Sequence, residues 1–195
     1  MKILVIGATG TIGRPIVEAL QGEHEVIGVS RNSTPPVDIA NPESIRAMLK
    51  AVGKVDAIVC ATGQARFKPF DKLTDEDFQF CFDNKLMGQA NVIRFGFEHV
   101  ADGGSITVTT GVLGQNPIVG SAAISLVNSG LEGFVRAAAL EAPRGIRVNV
   151  VSPPWVTETL KKLGMDESIG KPGAVVAKTY VAVVKGRETG KTVAV

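Results

Sequence analysis

The chain has 195 residues, 45% of them hydrophobic, and its 21 Lys and Arg against 19 Asp and Glu leave a formal charge of +2. That balance fits one globular domain over residues 1–195 with its own core and excludes a disordered chain. The charge is too small and scattered for a nucleic-acid surface, aromatics at 5% are too scarce for base stacking, and no apolar run reaches the ~18 residues of a membrane span.

Strand-length apolar runs alternate with longer amphipathic segments. This is the pattern of an α/β domain: a doubly wound, mostly parallel sheet with helices on both faces. Lys2–Ile6 reads as the first strand, Thr11 to about Leu20 as a helix, Glu25–Val29 as the second strand and Val37–Ile39 as a short third. Only Ser30–Pro36 separates those two strands, too little for a helix, so an extended crossover is expected there. Asn41-Pro42-Glu43 supplies a cap, a first-turn proline and an acid for a helix to about Val52. Val55–Cys60 is the fourth strand. Thr74 and Asp77 resemble a capping box opening a helix to about His99. Ser105–Thr109 follows as the fifth strand, Val119–Glu141 as a long helix and Arg147–Val151 as the sixth strand. Gly173–Lys185 is the last helix, and Lys191–Val195 makes a seven-stranded Rossmann-type sheet. No basic segment precedes a long apolar stretch at the start. Cys60 and Cys81 lack metal-ligand spacing, so free thiols in the cytoplasm and no metal site are expected.

Gly7-Ala8-Thr9-Gly10-Thr11-Ile12-Gly13 joins the first strand to the first helix. Glycine permits the tight turn and a close backbone approach, and the helix start offers unpaired N–H groups to a pyrophosphate. Strand, glycine loop and helix in that order are the context of a dinucleotide signature. The second strand ends in Val29-Ser30-Arg31-Asn32-Ser33. An acid there would accept from the ribose 2′-OH of NAD, whereas an arginine suits the 2′-phosphate of NADP, so NADP(H) is favoured over NAD(H).

Four more segments follow the glycine loop: Asp38-Ile39, Cys60-Ala61-Thr62-Gly63, Arg147-Val148-Asn149-Val150-Val151-Ser152-Pro153 and Thr189-Gly190-Lys191-Thr192-Val193. In this order the chain resembles the short-chain dehydrogenase/reductase family along nearly its whole length. The resemblance implies an adenine contact from Asp38 and Ile39, a ribose contact from Ala61, Thr62 and Gly63, and a nicotinamide loop at Pro153, Trp155 and Val156. It adds Lys85 and Thr109 to the cofactor set of Gly7, Thr9, Gly10, Thr11, Ile12, Gly13, Ser30, Arg31 and Asn32.

The same resemblance breaks at the catalytic positions. That family uses a Ser to orient a carbonyl, a Tyr to pass a proton, a Lys one helical turn later, and an Asn. Alignment of Ser129–Phe134 puts Gly111 at the Ser position, Ile124 at the Tyr position and Asn128 at the Lys position. The Asn position falls on Asn84 or Lys85, and Lys85-Leu86-Met87-Gly88 favours Lys85. Tyr180 is the only tyrosine, and Pro154 stands where the family loop has glycine. Isoleucine cannot protonate an alkoxide, and a positioned acid contributes ~10²–10⁴ in rate. The replacement donors are Lys85, with a pKa lowered by burial, Thr110 or Thr109 as hydroxyl donors, and Ser121 or Ser125 reaching in from the long helix.

Three functions are compatible with this reading. The first is an NADP(H)-dependent oxidoreductase with a non-standard site, acting on CH–OH or C=O groups of a small carbonyl or enone. The alternative is a catalytically silent NADP(H)-binding protein, a redox sensor or assembly partner. The third is an NAD(P)-binding isomerase or epimerase, for which little substrate domain is left after the last strand. Leu160–Lys171 is expected as a short substrate lid, and Val119–Glu141 as the surface of a homodimer or homotetramer. No nucleic-acid or membrane partner is expected.

Overall fold

The structure, a computed structural model, describes residues 1–195. Its strands are Lys2–Ile6 (β1), Glu25–Val29 (β2), Val55–Cys60 (β3), Val100–Thr109 (β4), Arg147–Ser152 (β5) and Thr192–Ala194 (β6). Every neighbouring pair is parallel, in the order β2-β1-β3-β4-β5-β6. The helices are Gly13–Leu20 (α1), Pro42–Val52 (α2), Asp75–Cys81 (α3), Gly88–Gly96 (α4), Ala122–Glu141 (α5), Thr157–Leu163 (α6) and Gly173–Lys185 (α7). No helix is long and apolar enough to cross a membrane.

A parallel sheet covered on both faces needs apolar side chains on both, which is why its strands read as continuous apolar runs. In β1, Leu4 and Ile6 join Ile45 and Met48 of α2, Val92 of α4 and Leu131 of α5. The alternate residues Ile3 and Val5 meet Ile16 and Leu20 of α1 and Val176 and Tyr180 of α7. The period of two along a strand thus sorts one segment into two cores. From β1 the chain first winds outward to β2 and then returns past β1 to β3. The crevice beyond the carboxyl ends of β1 and β3 is therefore the topological switch point, where ligands of such sheets bind.

The α/β architecture matches the sequence reading, with six strands instead of seven. Val37–Ile39 pairs with no strand. Val37 N–H donates to Ser30 O at 2.9 Å, and residues 30–41 form a loop running straight into the Asn41 cap of α2. Val37 and Ile39 are apolar because they plug the core beneath that loop. The expected extended crossover therefore does not form. The helix opened by the Thr74–Asp77 capping box runs without a break from Asp75 to Gly96, three residues short of His99, with a π-helical turn at Phe82–Met87 between α3 and α4. The expected lid contains a helix, α6, and α5 starts at Ala122 rather than at Val119.

Tyr180, fully buried, ties α7 to the ends of two strands. Its hydroxyl lies 2.6 Å from Thr109 Oγ1, which itself donates to Cys60 O at 2.7 Å. With the Thr109 proton committed, Tyr180 is the donor. Tyr180→Phe is expected to lower unfolding stability in urea by about 1 kcal/mol. An unchanged midpoint and slope would show that the hydroxyl contributes nothing.

Candidate functional site

The phosphate loop closes the switch-point crevice at its floor. Gly7 adopts φ +87°, and a Cβ there would stand 2.8 Å from Thr62 Cβ and 2.9 Å from Ala61 O. A Cβ on Gly13 would stand 2.0 Å from Gly7 O. Both positions require glycine, because the turn and the start of α1 pack backbone against backbone. The N–H groups of Thr9, Thr11, Ile12 and Gly13 find no acceptor within the chain, whereas Gly7 and Ala8 both donate to Val29 O. Free donors at a helix start are an anion site in chemical terms.

Above this loop lies a cleft of about 300 Å³, lined by Gly7, Thr9, Gly10, Ser30, Arg31, Asn32, Asp38, Ile39, Ala61, Thr62 and Gly63. Each was singled out in the sequence. Ser33 Oγ accepts from Ser30 N–H at 2.8 Å and donates to Pro35 O at 2.6 Å, which holds Arg31 at the exposed tip of the loop. No carboxylate lies within ion-pair distance of Arg31. Asp38 Oδ1 accepts from Ala40 N–H at 3.0 Å and so shapes its own turn.

At Gly63 the first cleft meets a second, of about 270 Å³. Lys85, Thr110, Gly111, Ile124, Asn128, Pro153, Trp155, Val156 and Ile12 line it. The three positions aligned with the family's Ser, Tyr and Lys thus surround one cleft, with none of those side chains present. Asn128 donates to Gly111 O at 3.2 Å, and its buried Oδ1 has no partner. Trp155 meets Phe67 edge to face at 6.2 Å.

Lys85 sits on the π-helical turn, a wide turn that recurs at functional sites. Its side chain is 8% exposed and reaches across the cleft, Nζ donating to Thr110 O at 3.2 Å. Its stem lies against Gly63, where a Cβ would stand 2.9 Å from Lys85 Cδ. Burial lowers its pKa to about 8, with a small opposing effect from the Cys60 sulfur. Its neighbour Asn84 turns back to Phe80 O and reaches only the first cleft.

Several expected contacts fail. Thr109, expected against the cofactor, lines neither cleft; its hydroxyl is held between Cys60 O and Tyr180. Thr110 lines the second cleft, but its hydroxyl proton goes to the buried Glu132 Oε1 at 3.1 Å, so it is not available to a substrate oxygen. Ser121 and Ser125 bond to Ile118 O and Leu113 O and hold the loop before α5. Thr11 and Gly13 line neither cleft, although their N–H groups at the start of α1 are free.

Gln89 was missed, and it shapes the cleft. It is fully buried; its Nε2 donates to Thr109 O at 2.7 Å and its Oε1 accepts from Thr109 N–H at 2.7 Å. Those backbone groups face the side where β3 would continue, but β3 pairs with β4 only as far as Val59–Thr107 and then veers away with β1. The Gln89 amide takes the place of a β3 peptide. A polar residue one turn after Lys85 on an apolar helix was the available signal.

A family model described as enoyl-(acyl carrier protein) reductase matches residues 11–192. The chain belongs to the short-chain dehydrogenase/reductase family. This family member is 43% identical to the protein lin1944 from Listeria innocua, over 100% of this chain and 99% of that one, with a TM-score of 0.95. A small-chain dehydrogenase in complex with NADPH shares the fold at TM-score 0.89 and 23% identity, covering 100% and 96% of the two chains. The hydroxynaphthalene reductase arp2 of Aspergillus fumigatus is 27% identical over 77% of this chain and 55% of its own length. The dehydrogenase/reductase chain spans about half the length of the curated relatives it matches.

The buried titratable groups predict a distinctive alkaline stability profile. Between about 8 and 10.5 the unfolded chain keeps a proton that native Lys85 has lost, so rising pH favours the native state. Burial raises Cys60 to about 12 from 9.0, so above pH 9 the unfolded thiol ionises first and the trend reverses. Stability measured in urea is expected to rise from pH 8 to 9, level off and then fall. Lys85→Met should abolish the rise and keep the fall; an identical profile in both proteins would contradict a neutralised buried Lys85.

Proposed function

We propose that this chain is an NADP(H)-dependent oxidoreductase in which Lys85 takes over proton donation from the absent tyrosine, acting on a small neutral carbonyl or enone. The observation that carries the proposal is the position of Lys85: buried, anchored on Thr110 O, and in the same cleft as Gly111, Ile124 and Asn128.

The free N–H groups of the phosphate loop would hold the pyrophosphate, Arg31 with Ser30 and Asn32 the 2′-phosphate, and Asp38 with Ile39 the adenine. NADPH in a solved relative of the same fold supports this choice. Ala61, Thr62 and Gly63 would flank the ribose next to the nicotinamide. Asn128 Oδ1, buried and unpartnered, suits a ribose hydroxyl donor. When bound, the cofactor supplies the hydride.

The chain's own residues do the rest. Lys85 points its ammonium into the cleft with one hydrogen bond spent on Thr110 O, leaving protons for a developing alkoxide. Its lowered pKa keeps it mostly protonated at neutral pH yet a better donor than a solvated lysine. Ile124, Leu113, Val112 and Trp155 make the wall apolar. Lys85 is the one charged side chain lining this cleft, so once it serves the developing alkoxide no second cation is left for an anionic substrate group.

Self-association as a homodimer or homotetramer is supported by the outer face of α5, where Leu126 and Leu140 are exposed beside Gly130 and Ala137. The buried free thiols Cys60 and Cys81 suit a reducing cytoplasm. A second reading, a catalytically silent NADP(H)-binding protein, is favoured by one observation: the tyrosine position is filled by an isoleucine packed into the cleft.

A carbonyl and enone panel assayed for NADPH oxidation separates the two. The oxidoreductase shows turnover, a kcat that declines above about pH 8, and a loss of ~10²–10⁴ in kcat in Lys85→Met. Arg31→Ala is expected to reduce the preference for NADPH over NADH. NADPH binding without turnover on the whole panel, or full activity in Lys85→Met, overturns the assignment to Lys85.

A further inference from the structure

Lys162, on the short helix α6, reaches the phosphate loop from the far end of the sequence: its Nζ donates to Thr11 Oγ1 at 3.1 Å. The segment that carries it is strapped down at its base. Lys171 N–H donates to Trp155 O at 2.8 Å, and Thr157 N–H donates to Lys171 O at 3.0 Å. The next helix is fastened to the same place. Glu158 accepts from Gly173 N–H through both carboxylate oxygens at 3.0 Å, and a Cβ on Gly173 would stand 3.0 Å from Thr11 O. Lys162 therefore lies over the start of α1, beside the four N–H groups that have no acceptor in the chain.

A pyrophosphate brings two negative charges to that point, whereas a helix start offers only about half a positive charge. An ammonium within reach of Thr11 answers the remainder. Glu158, the carboxylate on the same helix, is turned towards the start of α7. We propose that Lys162 is a cofactor-binding residue that contacts the dinucleotide pyrophosphate, so that α6 forms part of the pyrophosphate site as well as the rim of the substrate cleft. This rests on the NADP(H) reading above. It assigns a role to a side chain whose position in the sequence lies 151 residues from the loop it serves.

Equilibrium binding to the full chain tests it, with three probes: NADPH, 2′-phosphoadenosine diphosphate ribose, which keeps the pyrophosphate but lacks nicotinamide, and 2′-AMP, which has no pyrophosphate. Lys162→Ala is expected to weaken the first two by about three- to ten-fold and to leave 2′-AMP unchanged. Lys162→Arg should restore most of the affinity. Lys161→Ala, which removes the same charge from the same helix, should leave all three unchanged. The loss in Lys162→Ala should shrink as salt rises. Equal weakening of 2′-AMP, an equal effect of Lys161→Ala, or no effect of Lys162→Ala while the unsubstituted chain binds NADPH would each overturn the proposal alone. An unsubstituted chain that binds none of the probes overturns the NADP(H) reading and this proposal together.

Discussion

The paired hydrogen bonds between the Gln89 side-chain amide and the backbone of Thr109 decide the shape of the site. Parallel strands must part somewhere for a ligand to enter, and each strand that leaves exposes N–H and C=O groups on its neighbour. Unpaired and buried, such groups cost about 1–3 kcal/mol each. Here β3 leaves β4 after Val59, and Gln89 covers the exposed backbone at 2.7 Å in both directions. The chain at Ala61–Gly63 is then free to turn towards β1, opening the crevice, and the helix bearing Gln89 is fixed against the end of β4. Lys85, one turn earlier, is held where Thr110 O can accept from it.

That arrangement holds a charged group in the cleft where Ile124 stands at the position of the family's tyrosine. Lys85 is buried, its stem is packed against Gly63, and its one anchor is a neutral carbonyl. Burial without a carboxylate partner depresses a lysine pKa instead of stabilising the ammonium. Glu132, the buried carboxylate nearby, is occupied by Thr110 and Gln115. It fixes the backbone on which Lys85 rests and forms no ion pair with it.

What could be read from the sequence follows the distance over which each interaction acts. The glycine loop, the Asn41 and Thr74 caps and the apolar strands are local patterns with local causes, and the structure reproduces them. The placement of Gly111, Ile124 and Asn128 around one cleft was legible only through the family resemblance, in which the positions now held by Ile124 and Asn128 lie one helical turn apart. Val37–Ile39 misled because two apolar residues either side of Asp38, plugging a core from a loop, look like a short strand when the partner is unknown. The hydroxyls of Thr109 and Thr110 resembled donors, but their acceptors, Cys60 O and Glu132, come from elements 49 and 22 residues away. Gln89 and Lys162 were hidden for the same reason: each acts on a segment distant in sequence, and the one local signal was the polar Gln89 on an apolar helix. The π-helical turn that presents Lys85 has no composition of its own.

The central claim is that the nicotinamide and Lys85 share the second cleft. A crystal structure of the chain with NADP⁺ tests it most directly. The account predicts the adenosine 2′-phosphate at Arg31, the pyrophosphate over Thr9–Gly13 and the nicotinamide ring between Gly63 and Pro153, with Lys85 Nζ facing the edge of the cleft that bears C4. A dinucleotide bound with its nicotinamide outside this cleft, or with Lys85 turned away from the ring, would contradict it.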